Sequence, residues 1–288
     1  MTGNAWVWVG HLWTARVRTA LDLYGDRITD VGIFGWQTDT NGQLTRFFDP
    51  ALLDPYRAKW PHIRWWLTFV NHGDPAIFTA LRTNPAAQTT LLTQLGTLLD
   101  AHPWAYGIDI DLERGGPLSN AAASEALFSR IRDLCHARGK KVNADLPAMT
   151  GLGQSVGDEN WCRYAQLGAI LDHVCIMSYG MAWAGSAPGP VSPRDWLEGT
   201  YRYATSVIPP HKISMGLPAY GFGWRIHTYP PFPTIPGGLR ASVATYYGAQ
   251  NYLDGTWVHD PAPQAHIPWL AYRDPYEHTP YALLHVYD

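Results

Sequence analysis

Short apolar runs alternate with helical patterns along the first 220 residues of the chain. The apolar runs are rich in Val, Ile, Trp and Phe and are bounded by Gly, Pro, Asp or Asn, which is typical of buried strands. The predicted strands are Ala5–His11, Asp30–Gln37, Ile63–Asn71, Tyr106–Glu113, Lys141–Ala148, His173–Met181 and Ile213–Tyr220. The predicted helices, where apolar residues recur at helical spacing, are Pro85–Ala101, Asn120–Arg138, Asp158–Leu171 and Pro193–Val207. This alternation predicts βαβ units and a parallel sheet.

The number of these units favours one α/β fold over another. Seven strands without a glycine-rich dinucleotide fingerprint favour a (β/α)8 TIM barrel over a doubly wound sheet. Residues 222–288 are dense in Pro, Gly, Tyr and His, and they predict a small α+β subdomain inserted after strand 7. We therefore expect barrel units 1–7 over residues 1–221 and the insertion over 222–288. Ala282–Tyr287 fits either the eighth barrel strand or the insertion; we favour the insertion, which leaves the last βα unit missing.

Composition excludes several classes of protein. Of the 288 residues, 46% are hydrophobic and 16% are charged, and this low charged fraction excludes intrinsic disorder. A net charge of -3 argues against a nucleic-acid partner. The 14 Trp and 16 Tyr fit either an aromatic core or a ligand cleft. The 3 cysteines show no CxxC or Cys/His spacing, so we expect free thiols, no metal site and no cofactor.

The N-terminal sequence MTGNAWVWVGHLW has no basic region followed by a long apolar region. A Sec signal is therefore not expected. Residues 173–192 lack charged side chains, but Gly, Ser and Pro interrupt them, so we expect no membrane partner. The expected location is the cytoplasm after synthesis, with carriage in a phage tail or release by a non-Sec route as alternatives. Other virion or wall-associated proteins are then candidate partners.

The sequence YGIDIDLE at 106–113 carries the sharpest chemical signal. Alternate residues of a strand share one face, so Asp109, Asp111 and Glu113 point one way and the apolar residues between them point the other. In a barrel the apolar face meets the helices, and the acids point inside. Mutual repulsion raises the pKa of at least one of them, which is what a general acid requires. Glu113 would lie at the C-terminal mouth, where barrel enzymes carry out their chemistry.

Two other readings of this acidic run stay open. One is an acidic strand at a solvent-facing sheet edge, against which the β-branched opposite face argues. The other is a divalent-metal site, against which argues the lack of a nearby His or further acid at ligand spacing.

Three ordered motifs resemble those of family 18 glycoside hydrolases, the chitinase-like enzymes. GIDIDLE resembles the fourth-strand signature DxxDxDxE, and Met177-Ser178-Tyr179 is similar to MxYD on the sixth strand. Residues 215–224, MGLPAYGFGW, resemble the GLPxYGxxW segment on the seventh strand, in the form found in the cell-wall branch of the family. The resemblance covers essentially the whole chain.

The resemblance implies hydrolysis of β-linked N-acetylglucosamine polymers, either chitin or peptidoglycan, with retention of configuration. In such enzymes the N-acetyl carbonyl of the substrate replaces a protein nucleophile. Glu113 would then protonate the leaving oxygen and later activate water. Asp111 would orient the acetamido group, Asp109 would share a proton with Asp111, and Tyr179 would hydrogen-bond the acetamido oxygen.

Further candidates for substrate binding lie at or just beyond predicted strand ends. For the Trp residues the alternative is packing at the barrel rim, and for Asn71 it is loop capping. These substrate-binding candidates are Trp36, Asn71, Asp145, Met177, Tyr220, Trp224 and Trp183.

The chain departs from the family pattern at informative positions. Tyr106 replaces the first Asp of the signature, and Gly180 replaces the Asp of MxYD. Asp145 stands where the family is usually small and apolar, and we hypothesise that it replaces polar function lost at Gly180. Gly180 and the missing last unit favour a second function, a non-catalytic carbohydrate-binding or structural module, for example of a phage tail. The retained Glu113 favours an enzyme.

Overall fold

The structure, a computed structural model, describes residues 5–10, 13–157, 159–183, 186, 190–218, 220–226, 242–244, 256–259, 268–272 and 281–285. From residue 221 onward the description is limited to strand backbones. The chain forms two compact units: Met1–Ile176 with Ala204–Ser214, and Met177–Tyr203 with Met215–Asp288. This division differs from the predicted boundary at 221/222 because residues 177–203 and 215–221 group with the second unit.

A curled sheet of mainly parallel strands forms the centre of the first unit. Its strands, in chain order, are β1 (Trp6–Val9), β2 (Asp30–Thr38), β3 (Leu44–Arg46), β4 (Arg64–Val70), β5 (Gly107–Asp111), β6 (Lys141–Pro147), β7 (His173–Met177) and β8 (Ile213–Met215). The spatial order is β1-β2-β4-β5-β6-β7-β8, and β3 pairs antiparallel with the end of β2. The pairs from β1 through β6 are parallel. The predicted α/β fold of the TIM-barrel class is confirmed.

Helices connect successive strands of this sheet. They are α1 (Ala15–Tyr24), α2 (Asp54–Lys59), α3 (Pro75–Thr83), α4 (Pro85–Ala101), α5 (Ala121–His136), α6 (Tyr164–Ile170) and α7 (Arg194–Val207). Two adjacent helices show why they begin where they do: Asp74 caps α3 and Asn84 caps α4, and each is followed by a proline at the first helical position. No helix in the described ranges is long and apolar enough to cross a membrane.

Apolar residues bury the sheet on its helix-facing side. On β5, Ile108 and Ile110 have no exposed surface, and Leu67 and Phe69 on β4 are equally buried. On the helices, Leu91, Leu95, Phe128 and Ile131 are also fully buried. Each strand therefore presents its intervening residues to the opposite face, which is where the polar residues of β4, β5 and β6 lie.

The second unit contains an antiparallel sheet. Its strands are β9 (Gly221–Ile226), β10 (Ser242–Ala244), β11 (Thr256–His259), β12 (Pro268–Tyr272) and β13 (Tyr281–His285), in the order β10-β9-β13-β12-β11. β13 pairs antiparallel with both β9 and β12. The late strand predicted at 282–287 thus overlaps β13, which joins this antiparallel sheet, and the described part of the parallel sheet has seven strands on its main path.

Candidate active site

Three carboxylates follow one another along β5 and its exit. Asp109 and Asp111 are the third and last residues of the strand, and Glu113 comes two residues after it. Asp109 and Asp111 are buried and Glu113 is half-buried, whereas the apolar residues between them are fully covered on the other face. Asp109 and Asp111 share one face of β5 and Ile108 and Ile110 the other, as the alternation predicts, and Glu113 lies beyond the end of the strand.

Asp109 is hydrogen-bonded by donors from three other strands, the adjacent β4 and β6 and the more distant β1. Its Oδ2 accepts from Thr68 Oγ1 at 2.8 Å and from Trp8 Nε1 at 3.2 Å, and its Oδ1 accepts from Asn143 Nδ2 at 2.5 Å. Burial raises the pKa of Asp109, and these donated bonds oppose the rise. Both oxygens thus accept hydrogen bonds from neutral donors, an arrangement that suits an anion and does not favour the proton shared with Asp111 that the resemblance implies.

Asp111 is in a different environment. It is 5% exposed, and its Oδ1 is buried without a hydrogen-bond partner in the part of the chain described. Burial raises the pKa of Asp111 well above its usual range, and the charges of Glu113, Asp109 and Glu159 raise it further. Because buried polar atoms are nearly always hydrogen-bonded, this unpaired oxygen can accept a hydrogen bond from a bound ligand.

Glu113 is positioned by its backbone. Its N–H donates to Asn71 Oδ1 at 3.0 Å, and its C=O accepts from Asn71 Nδ2 at 2.9 Å. Burial raises the pKa of the Glu113 carboxyl group, and the charge of Arg114 opposes that rise. A glutamic acid that keeps its proton to higher pH is suited to general acid catalysis.

The residues after Glu113 form a tightly bonded turn. Arg114 has a left-handed backbone with φ of 57°. The Glu159 carboxylate accepts from the backbone N–H of Arg114 at 2.6 Å, from that of Gly115 at 3.4 Å and from Trp161 Nε1 at 2.9 Å. Such strained residues persist only where the surroundings hold them, and they cluster at functional sites.

The Gly115 carbonyl also accepts two side-chain hydrogen bonds. It accepts from the buried Arg82 guanidinium at 2.6 Å and from Asn120 Nδ2 at 2.8 Å. No carboxylate in the described ranges is ion-paired with Arg82, and burial lowers the pKa of its guanidinium.

The sequence did not predict the contributions of five residues to this site, because each depends on residues far away in the chain. These residues are Glu159, Arg82, Asn143, Thr68 and Trp8.

Asp145 points to the same face as the carboxylates of β5. Asp109 lies beside Asn143 in the β5–β6 register, and the Asn143 side chain bonds Asp109, so Asp145, two residues later, shares this face. Asp145 is 4% exposed, and its Oδ1 has no hydrogen-bond partner within the described ranges. Burial, followed by the charges of Asp109, Asp111 and Glu113, raises the pKa of Asp145 well above its usual range.

Several predicted site residues belong to the second unit. The rings of Tyr179 and Tyr220 lie 6.3 Å apart at 72°, and Ser178 Oγ donates to the Gly216 carbonyl at 2.7 Å. Gly180 follows with φ of 89°, a backbone that an aspartate would adopt only under strain.

The other substrate-binding candidates of this unit are Met177, Trp183 and Trp224. Met177 ends β7 and is half-buried, and Trp183 is 53% exposed. Trp224 lies opposite Leu283 in the β9–β13 pair, and its side chain falls outside the described residues.

Trp36 requires a correction. The register of β2 against β4 shifts between Phe34 and Trp36, and this bulge turns the indole ring to the helix side of the sheet. The ring is 4% exposed and packs edge-on against His102, which follows α4, at 5.8 Å. The predicted sugar-stacking role of Trp36 is wrong, because the ring has no free face to offer.

Within the described ranges, no group of three or more His, Cys, Asp or Glu side chains is arranged to hold a metal ion.

The first unit is a parallel α/β sheet of the TIM-barrel class with buried carboxylates at the carboxyl end of one strand, the arrangement of a candidate acid–base enzyme. Residues 33–282 match the profile described as Glycosyl hydrolases family 18. The match covers most of the chain, and the protein belongs to this family.

The names of two relatives similar in sequence refer to sporulation and to cortical fragments. YdhD of Bacillus subtilis, named as a sporulation-specific glycosylase, is 31% identical over 237 residues, which are 79% of this chain and 52% of YdhD. The cortical fragment-lytic enzyme of Bacillus anthracis is 34% identical over 96 residues, 32% of this chain and 22% of that enzyme. The matched part of the chain spans about half the length of YdhD and less of the cortical fragment-lytic enzyme.

Solved structures share the fold. A chitinase from Chromobacterium violaceum superposes with a TM-score of 0.82 at 21% identity, covering 99% of this chain and 87% of that one. The spore cortex-lytic enzyme SleL of Bacillus cereus also gives 0.82, at 19% identity, over 99% of this chain and 65% of SleL. At these identities the likeness concerns the fold.

Proposed function

We propose that this chain is a glycoside hydrolase that cleaves β-linked N-acetylglucosamine-containing glycans with the help of the substrate's own acetamido group. One observation carries the proposal: two neighbouring carboxyl groups at the end of β5, Asp111 and Glu113, both have a raised pKa, and each is held differently. Glu113 is half-buried and fixed through its backbone, whereas Asp111 is buried with an unpaired oxygen.

These two environments suit two roles. Burial raises the pKa of Glu113, which suits it to give its proton to the leaving glycosidic oxygen; as an anion it then takes a proton from the attacking water. Asp111 accepts the acetamido N–H through its unpaired Oδ1, which turns the acetamido oxygen toward the anomeric carbon and stabilises the positive charge that develops there. No protein nucleophile is needed, because the acetamido oxygen forms the bond to the anomeric carbon.

Within this substrate class we propose a peptidoglycan-type glycan. The support comes from the relatives, whose names refer to sporulation and to cortical fragments. The chain also resembles a chitinase in fold, so chitin oligosaccharides are the comparison substrate. A ratio of kcat/KM for the two glycans decides between them.

A non-catalytic carbohydrate-binding module is the second candidate. The observation that favours it is Gly180, where the family pattern has an acid and this chain has a left-handed glycine. The two functions differ in one measurable outcome: a module binds the glycan without releasing reducing ends.

The experiment compares purified wild-type protein with Glu113→Gln and Glu125→Gln on peptidoglycan and on N-acetylchitooligosaccharides. Glu125 is a matched control, since it lies on α5 and pairs with Arg163. We expect release of reducing ends by the wild type and Glu125→Gln, and none by Glu113→Gln. Proton NMR of the first product should show the β-anomer, as retention requires. Binding without turnover by the wild type would support the module instead.

A further inference from the structure

Asp145 and Asp111 lie on adjacent parallel strands and face the same side. The β5–β6 register pairs Asp109 with Asn143 and Ile110 with Ala144. One step further along both strands brings Asp111 level with Asp145. A row of amide and carboxyl groups thus runs along the polar face of two strands, with two carboxyl groups side by side at its end.

Both carboxyl groups at the end of this row lack a partner on one oxygen. Asp111 Oδ1 and Asp145 Oδ1 are each buried without a hydrogen bond in the part of the chain that the structure describes. No Lys, Arg or His there forms an ion pair with Asp145. Two ionised carboxylates so placed would be costly, because burial penalises each charge and the charges repel. A single proton shared by the pair removes the repulsion and the burial cost of one of the two charges.

The groups that face Asp145 show that Asp109 is not the acid that holds that proton. From β5, the charges of Asp109, Asp111 and Glu113 each raise the pKa of Asp145, and Asn143 on its own strand lowers it. Asp109 has three donated hydrogen bonds to stabilise its anion. The proton is therefore held by the pair Asp111 and Asp145, and the role proposed for Asp111 as the acceptor of the acetamido N–H assigns it to Asp145.

The other neighbouring strand supplies no positive charge. On β7, burial raises the pKa of the Cys175 thiol, and the negative charge of Asp145 contributes to that rise. Burial lowers the pKa of His173 to about 4, so its imidazole is neutral at neutral pH. Neither group stabilises an Asp145 anion.

We propose that Asp145 is a positioning residue that remains a neutral carboxylic acid at neutral pH and donates its proton in a hydrogen bond to Asp111. Asp111 is thereby kept as an anion and held in place beside Glu113. The inference deepens the proposed function and rests on it for its kinetic consequences. The protonation of Asp145 itself is measurable without any substrate.

The kinetic test uses two substitutions that separate a neutral donor from a charge. Asparagine keeps a neutral donor, so Asp145→Asn should retain kcat within about threefold of the wild type. Asp145→Ala removes the donor and should lower kcat roughly 10- to 100-fold, the value of one hydrogen bond to a charged group. It should also move the acidic limb of the kcat profile to higher pH, because the Asp111 anion loses its donor. Equal losses in both variants, or wild-type profiles in both, would overturn the proposal.

The substrate-free test is infrared spectroscopy at neutral pH. The wild type should show the carbonyl band of a protonated Asp145 beside that of Glu113, which Glu113→Gln removes, and Asp145→Asn should lose the band of Asp145. Asp30→Asn is the control, since Asp30 is equally buried in this sheet but is ion-paired with Arg64 at 2.5 Å. That variant should leave the band intact. An unchanged band in Asp145→Asn would refute the inference, whereas a wild type that hydrolyses nothing but shows the band would refute only the proposed function.

Discussion

Asn71 holds Glu113 by both of its backbone polar groups, at 3.0 Å through the N–H and at 2.9 Å through the C=O. The same Asn71 amide also donates to the Asp74 carbonyl, 2.9 Å away. The end of β4 and the exit of β5 are thereby tied together at the point where the candidate general acid leaves the sheet. The position of Glu113 is thus set by a side chain 42 residues earlier in the chain.

Asn71→Ala should affect turnover more than stability alone explains. Loss of these bonds frees the Glu113 backbone, and we expect kcat to fall roughly 10- to 100-fold, since misplacement of an acid by about 1 Å has effects of this size. The free energy of unfolding should fall by about 1–3 kcal/mol. Asn84→Ala, which removes the cap of α4, is the matched control and should lose about 1 kcal/mol with unchanged kcat. Proportionate kinetic losses in both variants would contradict the positioning role.

Arg114 combines backbone strain with a charge that acts on Glu113. Its φ of 57° favours glycine, so Arg114→Gly should be about 1 kcal/mol more stable than Arg114→Ala in urea unfolding. Both variants remove the cation that lowers the pKa of Glu113. The alkaline limb of kcat/KM, which reports loss of the Glu113 proton, should therefore move to higher pH in both. A limb that stays in place would show that another group controls it.

Glu159 acts on the site through charge and through the turn that it bonds. Its charge raises the pKa of Asp111, so Glu159→Gln should move the acidic limb of kcat/KM to lower pH. The glutamine oxygen can still accept from the Arg114 N–H, which limits the structural change. Glu198→Gln, at an exposed ion-paired carboxylate on α7, serves as the control and should leave the profile unchanged. A shift to higher pH in Glu159→Gln would be the opposite of the expected sign.

His173 should make the folded state sensitive to acid. Its pKa is lowered to about 4 by burial, whereas an unfolded histidine titrates near ~6.5. Below the unfolded value the unfolded chain binds a proton that the folded chain does not, so stability is lost as pH falls from ~6.5 toward 4, by about 3 kcal/mol in all. His173→Gln should lack this part of the loss in urea unfolding at pH ~7 and ~4.5. An equal loss of unfolding free energy between the two pH values in the wild type and in His173→Gln would contradict this role of His173.

The sequence predicts the parallel sheet well because its strands are buried and strongly apolar. Six of the seven predicted strands contain a strand of the structure, β2 runs one residue beyond its predicted end, and the predicted helix Pro85–Ala101 matches α4 at both ends. The short helices α1, α2 and α3 were not predicted. Their periodic patterns are brief, and α3 depends on its Asp74 cap. The predicted helix Asp158–Leu171 begins only at Tyr164.

The candidate site is predictable only where it is local in sequence. The alternation of residues 109–113 alone places the acids on one face. The contrast between a well-bonded Asp109 and an unpaired Asp111 depends on Thr68 and Asn143, which only the strand order brings together. The prediction that Trp36 binds sugar fails for the same reason. A bulge against β4 reverses the side of the sheet to which simple alternation assigns the Trp36 side chain.

The most direct test of the account is the rate of reducing-end release from peptidoglycan by the wild type and by Glu113→Gln, measured at equal protein concentration with folding verified. We expect turnover by the wild type and a loss of at least about 100-fold in kcat for Glu113→Gln, because a glutamine cannot donate and then recover a proton. Equal rates for the two proteins, or glycan binding with no turnover by the wild type, would contradict the central claim.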